Sequence, residues 1–197
     1  LGRDVESGHG TTVLIQGEGG IGKSRLIQEF AYHQASRAKP WLVLQGACSP
    51  FDDLLSYGPF IEALQSTGMD DAEELLAESG ASIPDARGRF FWRVLQTIRS
   101  LSQSTPLVLC IDDLQWANSS TLNLFGFLSA RIQFLPVLLV GTVQHAESIP
   151  SLQRLITLGR RRYELRLLSL TPLNQRAIVD HLHQSRGNEA NIQTLAE

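Results

Sequence analysis

The feature that most constrains this chain is the string Gly17-Glu18-Gly19-Gly20-Ile21-Gly22-Lys23-Ser24. It fits G-x-x-x-x-G-K-[ST] at every fixed position. An apolar stretch at residues 12–16 precedes it, and an amphipathic stretch from about 22 to 36 follows it. Four glycines in six positions rule out a regular helix or strand there. The segment must be a turn that carries a strand into a helix. In that setting the glycines let several backbone N–H groups point inward at phosphate oxygens, and the helix start adds the positive end of its dipole. Gly17, Gly19, Gly20, Ile21, Gly22 and Arg25 are therefore candidate phosphate-cradling positions. Lys23 supplies a compact charge for the β- and γ-phosphates, with a catalytic role in phosphoryl transfer. Ser24 offers a hydroxyl to magnesium.

The rest of the chain alternates apolar runs with longer amphipathic stretches, which predicts an α/β fold with a mainly parallel five-stranded sheet and helices on both faces. Strands are expected at residues 12–16, 41–45, 107–111, 137–140 and 165–170, the second ended by Gly46. Helices are expected at 22–36, 60–64, 72–78, 88–104, 119–131, 152–158 and 174–184, the fifth capped by Asn118 or Ser119. Residues 1–170 form the expected nucleotide-binding domain, and 171–197 the start of a truncated helical lid.

The run Leu107-Val108-Leu109-Cys110-Ile111 ends on Asp112-Asp113. An acid at the carboxyl end of a buried parallel strand lies beside the phosphate crevice, so Asp112 is the candidate magnesium ligand with Ser24. Asp113 is the candidate catalytic group that orients water or takes its proton. An ordinary solvated turn is the bland alternative for either acid. An acid aimed at water suits a hydrolase better than a kinase, which must exclude water.

The 197 residues are 43% hydrophobic and 19% charged, with net charge −3, so the chain as a whole is no polycation for holding nucleic acid. DNA contact would come through a domain outside this chain. Cys48 and Cys110 give neither a disulfide framework nor a metal spacing, and Cys110 reads as a small buried residue. No apolar stretch has the length of a membrane span, and no signal peptide opens the sequence, so the expectation is a cytoplasmic protein without membrane contact.

Several strings together resemble the STAND signalling ATPases, within the wider AAA+-like P-loop class, and in particular the ATPase modules of large bacterial LuxR- and SARP-type transcription regulators. "GEGGIGKSRL" at 17–26 is similar to that family's phosphate loop, and "DDLQWAN" at 112–118 to its Walker B extension. "LLVGTVQ" at 138–144 resembles the strand that carries its sensor residue. Leu1-Gly2-Arg3-Asp4 resembles its opening, which implies that Gly2 and Arg3 lie near the adenine. Leu170-Thr171-Pro172-Leu173 resembles its sheet-to-lid junction, which implies that Pro172 packs on the adenine. Where the family carries an arginine thought to sense the γ-phosphate, this chain has Gln144. Only residues 4–10 separate Arg3 from the first strand, where the family has a helix, and the chain stops before the family's "GNP" lid segment. Trp116 is expected as a core aromatic under the Walker B loop.

The resemblance implies a P-loop NTPase that binds ATP or ADP with Mg2+ as a slow switch in a multidomain regulator. Its partners would be the nucleotide, other domains of the same polypeptide and a homo-oligomer in the active state. A non-hydrolysing scaffold, a P-loop phosphotransferase, and a motor with an arginine finger at Arg160-Arg161-Arg162 are the competing readings.

Overall fold

The computed structural model describes residues 2–50, 56–67, 86–162 and 165–172. In chain order the elements are α1 (Gly2–Glu6), β1 (Thr11–Gln16), α2 (Lys23–Ala35), β2 (Leu42–Ala47), α3 (Gly58–Gln65) and α4 (Ala86–Ser102). They continue with β3 (Leu107–Asp112), α5 (Ser119–Ser129), β4 (Val137–Val143), α6 (Pro150–Arg162) and β5 (Arg166–Ser169). The five strands form one sheet in the order β2-β3-β4-β1-β5, and every pairing is parallel. The expected helices at 72–78 and 174–184 lie outside the described residues.

Period-two alternation along each buried strand divides the core in two. Val13 and Ile15 of β1, Val108 and Cys110 of β3, and Leu138 and Val140 of β4 face one side, where Val5 of α1 and Ile27 of α2 cover them. Leu14, Leu107, Leu109, Ile111, Val137 and Leu139 face the other side, packed against Phe60, Val94, Ile98, Phe125 and Leu152 from α3, α4, α5 and α6. A central strand covered on both faces must be apolar along its buried length, as β3 is from Leu107 to Ile111 and β4 from Val137 to Gly141.

The structure corrects three expectations. A helix does exist near the N-terminus, but it is α1 itself, spanning Gly2–Glu6 before the turn into β1. Gly46 does not end β2, which runs on to Ala47. A Cβ at Gly46 would sit 1.8 Å from the Pro59 carbonyl oxygen, so the glycine is there to let α3 lie directly on the strand. Trp116 is no core aromatic: it is 48% exposed, while Leu114, two residues earlier in the same 3-10 turn, is fully buried. Leu114 takes the inward place because β4 presents Gly141 there, where an added Cβ would meet the Leu114 Cδ1 at 2.4 Å.

Both cysteines are buried, and they form no disulfide. Burial, helped by the Asp112 charge, pushes the Cys110 thiol from its ordinary 9.0 up to about 12. The unfolded thiol ionises first, so this residue's contribution to stability is intact below pH 9.0 and is lost as pH rises toward 12.

Gly46→Ala tests the seating of α3. The obstacle is backbone, which cannot rotate aside, so a loss of about 3 kcal/mol is expected in urea unfolding, the upper end for overpacking. An unchanged midpoint would show that α3 does not sit on β2 this closely.

Candidate nucleotide-binding site

The site is built where the carboxyl ends of β1, β3 and β4 meet the start of α2. The loop between β1 and α2 departs from strand geometry at its glycines. Gly20 and Gly22 have φ of 77° and 105°, a region that L side chains rarely adopt. Gly17 is needed for a different reason: a Cβ there would lie 2.9 Å from the Ile21 side chain and 3.3 Å from Leu170. The Lys23 ammonium is buried and curls back over the loop, donating to the carbonyl oxygens of Gly17 at 2.8 Å and Glu18 at 3.0 Å. An ammonium has three donors, so this grip fixes its position and leaves a donor for an anion in the loop.

The second half of the site is a hydrogen-bonded cluster around Asp112. Its Oδ2 accepts from the Ser24 hydroxyl at 2.8 Å. Its Oδ1 accepts from the Thr142 hydroxyl and from the Asp113 N–H at 3.2 Å. The Asp113 N–H also reaches the Thr142 hydroxyl oxygen at 2.8 Å. Thr142 is fully buried, and strand register puts it level with Asp112, one step beyond the Ile111–Gly141 pair. Asp113 has φ of 57°, a left-handed conformation that aspartate tolerates better than most residues, and it starts the 3-10 turn Leu114–Trp116. That turn brings Gln115 back over the site. Its Nε2 donates to Asp113 Oδ1 at 2.7 Å, and its Oε1 accepts the Gln144 backbone N–H at 3.2 Å. The Gln144 side-chain amide lies against the phosphate loop, 3.8 Å from a Cβ built on Gly19.

The structure thus gathers Gly17, Gly19, Lys23, Ser24, Asp112, Asp113 and Gln144 around one crevice. Arg25 turns away, exposed and paired with Glu29 one helical turn on. Arg3 is exposed on α1. Leu170 packs against Gly17, so the chain leaving β5 passes the start of the loop, and exposed Pro172 follows it. Asp4 of α1 faces Arg166 of β5 at 3.8 Å, which puts the Gly2-Arg3 helix beside that same strand.

Three residues of this region escaped the sequence reading. Thr142 was visible only as a hydroxyl inside an apolar strand. Gln115 gave no signal of its own. Glu62 of α3 lines a hollow of about 200 Å³ beside Ser24 and Asp112 and accepts the Ala47 N–H at 3.0 Å.

A parallel sheet with this strand order, a glycine loop leading from a central strand into a helix, and an acid ending the neighbouring strand but one define a P-loop nucleoside triphosphatase. Residues 1–140 match the AAA ATPase domain family, and the chain belongs to that family, a nucleotide-binding ATPase module. Solved structures share the fold at low identity. A Walker-type ATPase of Pyrococcus abyssi superimposes with a TM-score of 0.57 at 15% identity, covering 96% of this chain and 57% of the other. The Aeropyrum pernix ORC2 protein, solved in ADPNP and ADP complexes, gives 0.55 at 15%, covering 92% and 48%. Cdc6p of Pyrobaculum aerophilum gives 0.54 at 15%, covering 92% and 45%. An uncharacterised protein of Rhizobium meliloti (strain 1021) is 28% identical over 170 residues, covering 70% of this chain. This chain spans only 16% of that protein's length and about half of the solved chains. No helix among the described residues is long and apolar enough to cross a membrane.

Thr142→Val deletes the hydroxyl that serves both Asp112 and Asp113 at nearly constant volume. The part-buried carboxylate oxygen then loses one of its two donors, and about 1 kcal/mol of stability should go with it. The urea midpoint should fall with the slope unchanged. An unaltered midpoint would mean that the hydroxyl does not hold Asp112.

Proposed function

We propose that this module binds ATP and hydrolyses it slowly, as a switch within a larger regulator of transcription or signal transduction. The observation that carries the reading is the Gln115 bridge, which ties the Asp113 carboxylate to the backbone of Gln144 while the Gln144 amide rests on the phosphate loop. A carboxylate beside the crevice suits proton acceptance from water. The group next to the loop is a neutral amide, which donates a hydrogen bond but cannot offset charge that develops in phosphoryl transfer. Acceptance of the proton with weak charge stabilisation means slow turnover. The much greater length of the Rhizobium relative supports a multidomain setting, in which neighbouring domains of the same polypeptide read the nucleotide state, and a homo-oligomer forms in the active one.

In this reading the N–H groups of Gly19, Gly20, Ile21 and Gly22 and the Lys23 ammonium hold the phosphates. Pro172 would flank the adenine, since it follows Leu170, which packs on Gly17, and Gly2 and Arg3 would join it from α1, which contacts β5 through Asp4 and Arg166. Ser24 and Asp112 fit a hard divalent cation, because a hydroxyl and a carboxylate oxygen meet at 2.8 Å beside the loop, and magnesium takes oxygen ligands. When bound, it would neutralise part of the charge on the β- and γ-phosphates. Thr142 keeps the other Asp112 oxygen in place, so that Oδ2 alone turns to the crevice.

Asp113→Asn should leave Mg-ATP affinity nearly unchanged and remove hydrolysis, since the amide keeps the shape but takes no proton. Joint loss of binding and turnover would make Asp113 a metal ligand instead. Persisting turnover would make it a structural residue of the turn.

Gln144→Arg should raise single-turnover hydrolysis at saturating Mg-ATP roughly tenfold, about 1.4 kcal/mol of barrier. A non-hydrolysing scaffold is the second reading, favoured by the same neutral amide. It predicts no phosphate release from wild type, and none from the arginine variant.

A further inference from the structure

The helices on the α4–α6 side of the sheet are basic in a chain whose net charge is −3. No Asp or Glu occurs between residues 86 and 111, between 114 and 146, or in α6. Arginines lie along α4 at Arg87, Arg89, Arg93 and Arg99, at Arg131 after α5, and on α6 at Arg154, Arg160 and Arg161. Among the described residues, α4, α5 and α6 therefore present a cationic surface.

Within that face the start of α4, α5 and α6 enclose an open groove of about 810 Å³. Its floor is apolar, with Phe127, Leu155 and Leu158, and Arg87, Arg131 and Arg154 stand at its rim. Leu158 is 43% exposed, and Trp92 beside the groove 51%. Arg131 is held rigidly: its guanidinium lies 3.8 Å from the Phe127 ring centroid and 5.4 Å from that of Trp92, and it donates to the Phe127 carbonyl at 3.3 Å. Among the described residues, no carboxylate pairs with Arg87, Arg131 or Arg154.

We propose that this groove is a docking site for an amphipathic helix with an acidic polar face, contributed by a partner protein or domain. Charge complementarity carries the choice. An apolar floor asks for an apolar stripe, and three guanidinium groups with no carboxylate partner among the described residues ask for carboxylates on either side of that stripe. A helical occupant suits it because α4, α5 and α6 supply most of the wall, and a helix satisfies its own backbone groups while packing side chains against theirs. Nucleic acid is the weaker match, since its phosphates would use the arginines and leave exposed Leu158 without a partner. The site lies away from the phosphate loop, and docking there does not depend on the nucleotide reading.

The test uses the 197-residue chain and fluorescence anisotropy with four labelled probes. One is an 18-residue helical peptide with leucines at i, i+3, i+4 and i+7 spacing and glutamates elsewhere. The second has lysines in place of the glutamates, the third has the acidic composition scrambled to break the stripe, and the fourth is an 18-base-pair DNA duplex. The acidic amphipathic peptide should bind at least tenfold more tightly than any of the others. Arg154→Glu, an exposed change that should not disturb folding, should weaken it at least tenfold, and Leu158→Ser should weaken it independently of salt. Failure of the acidic amphipathic peptide to bind, equal binding of the scrambled peptide, tighter binding of DNA, or indifference to Arg154→Glu would each overturn the proposal.

Discussion

The two oxygens of one carboxylate, that of Asp112, organise the site. Oδ1 faces into the sheet, where the Thr142 hydroxyl and the Asp113 N–H hold it. Oδ2 faces the crevice, where it meets Ser24 at the start of α2. Three elements are thereby locked to one side chain: β3, which carries it, β4, which contributes Thr142, and α2, which contributes Ser24. A carboxylate this close to a buried core needs such donors, because leaving an acceptor unsatisfied away from water is costly. The same bonds that make the acid tolerable also decide which oxygen is presented outward.

Parallel pairing is what makes this possible. With β4 between β3 and β1, the carboxyl ends of all three strands open at one edge of the sheet, and the phosphate loop springs from the same edge. Ligands in open α/β sheets bind at that edge for this reason. The left-handed turn at Asp113 then folds Gln115 back, so that residues from β3, its following turn and β4 share one hydrogen-bonded patch facing the loop.

The parts of this site that were legible in the sequence are local strings. Lys23 and Ser24 follow the glycines by fixed spacing, and Asp112 ends an apolar run, so their chemistry needs no knowledge of what lies next to them. Thr142 could not be read the same way, because its role exists only once β3 and β4 pair in register. Gln115 needed the backbone reversal at Asp113, which no local pattern announces. Trp116 was misread because large aromatic residues usually go inside. Here the 3-10 turn offers one inward position, and the small Gly141 beneath it shapes that position for Leu114. Gly46 was read as a strand breaker, whereas its role is to admit Pro59 across the sheet. In both cases a residue's own tendency lost to a contact made far along the chain.

The most direct test of the Asp112 arrangement is a double-mutant cycle with Ser24→Ala and Asp112→Asn, measured as ATP affinity by calorimetry with magnesium and again with EDTA. If Ser24 and Asp112 act together on one cation, each single change should cost affinity only with magnesium present. Their effects should also be non-additive there, by about 1 kcal/mol or more. Additive losses, or losses of equal size in EDTA, would contradict a shared metal site and leave the Ser24–Asp112 hydrogen bond as a purely structural link.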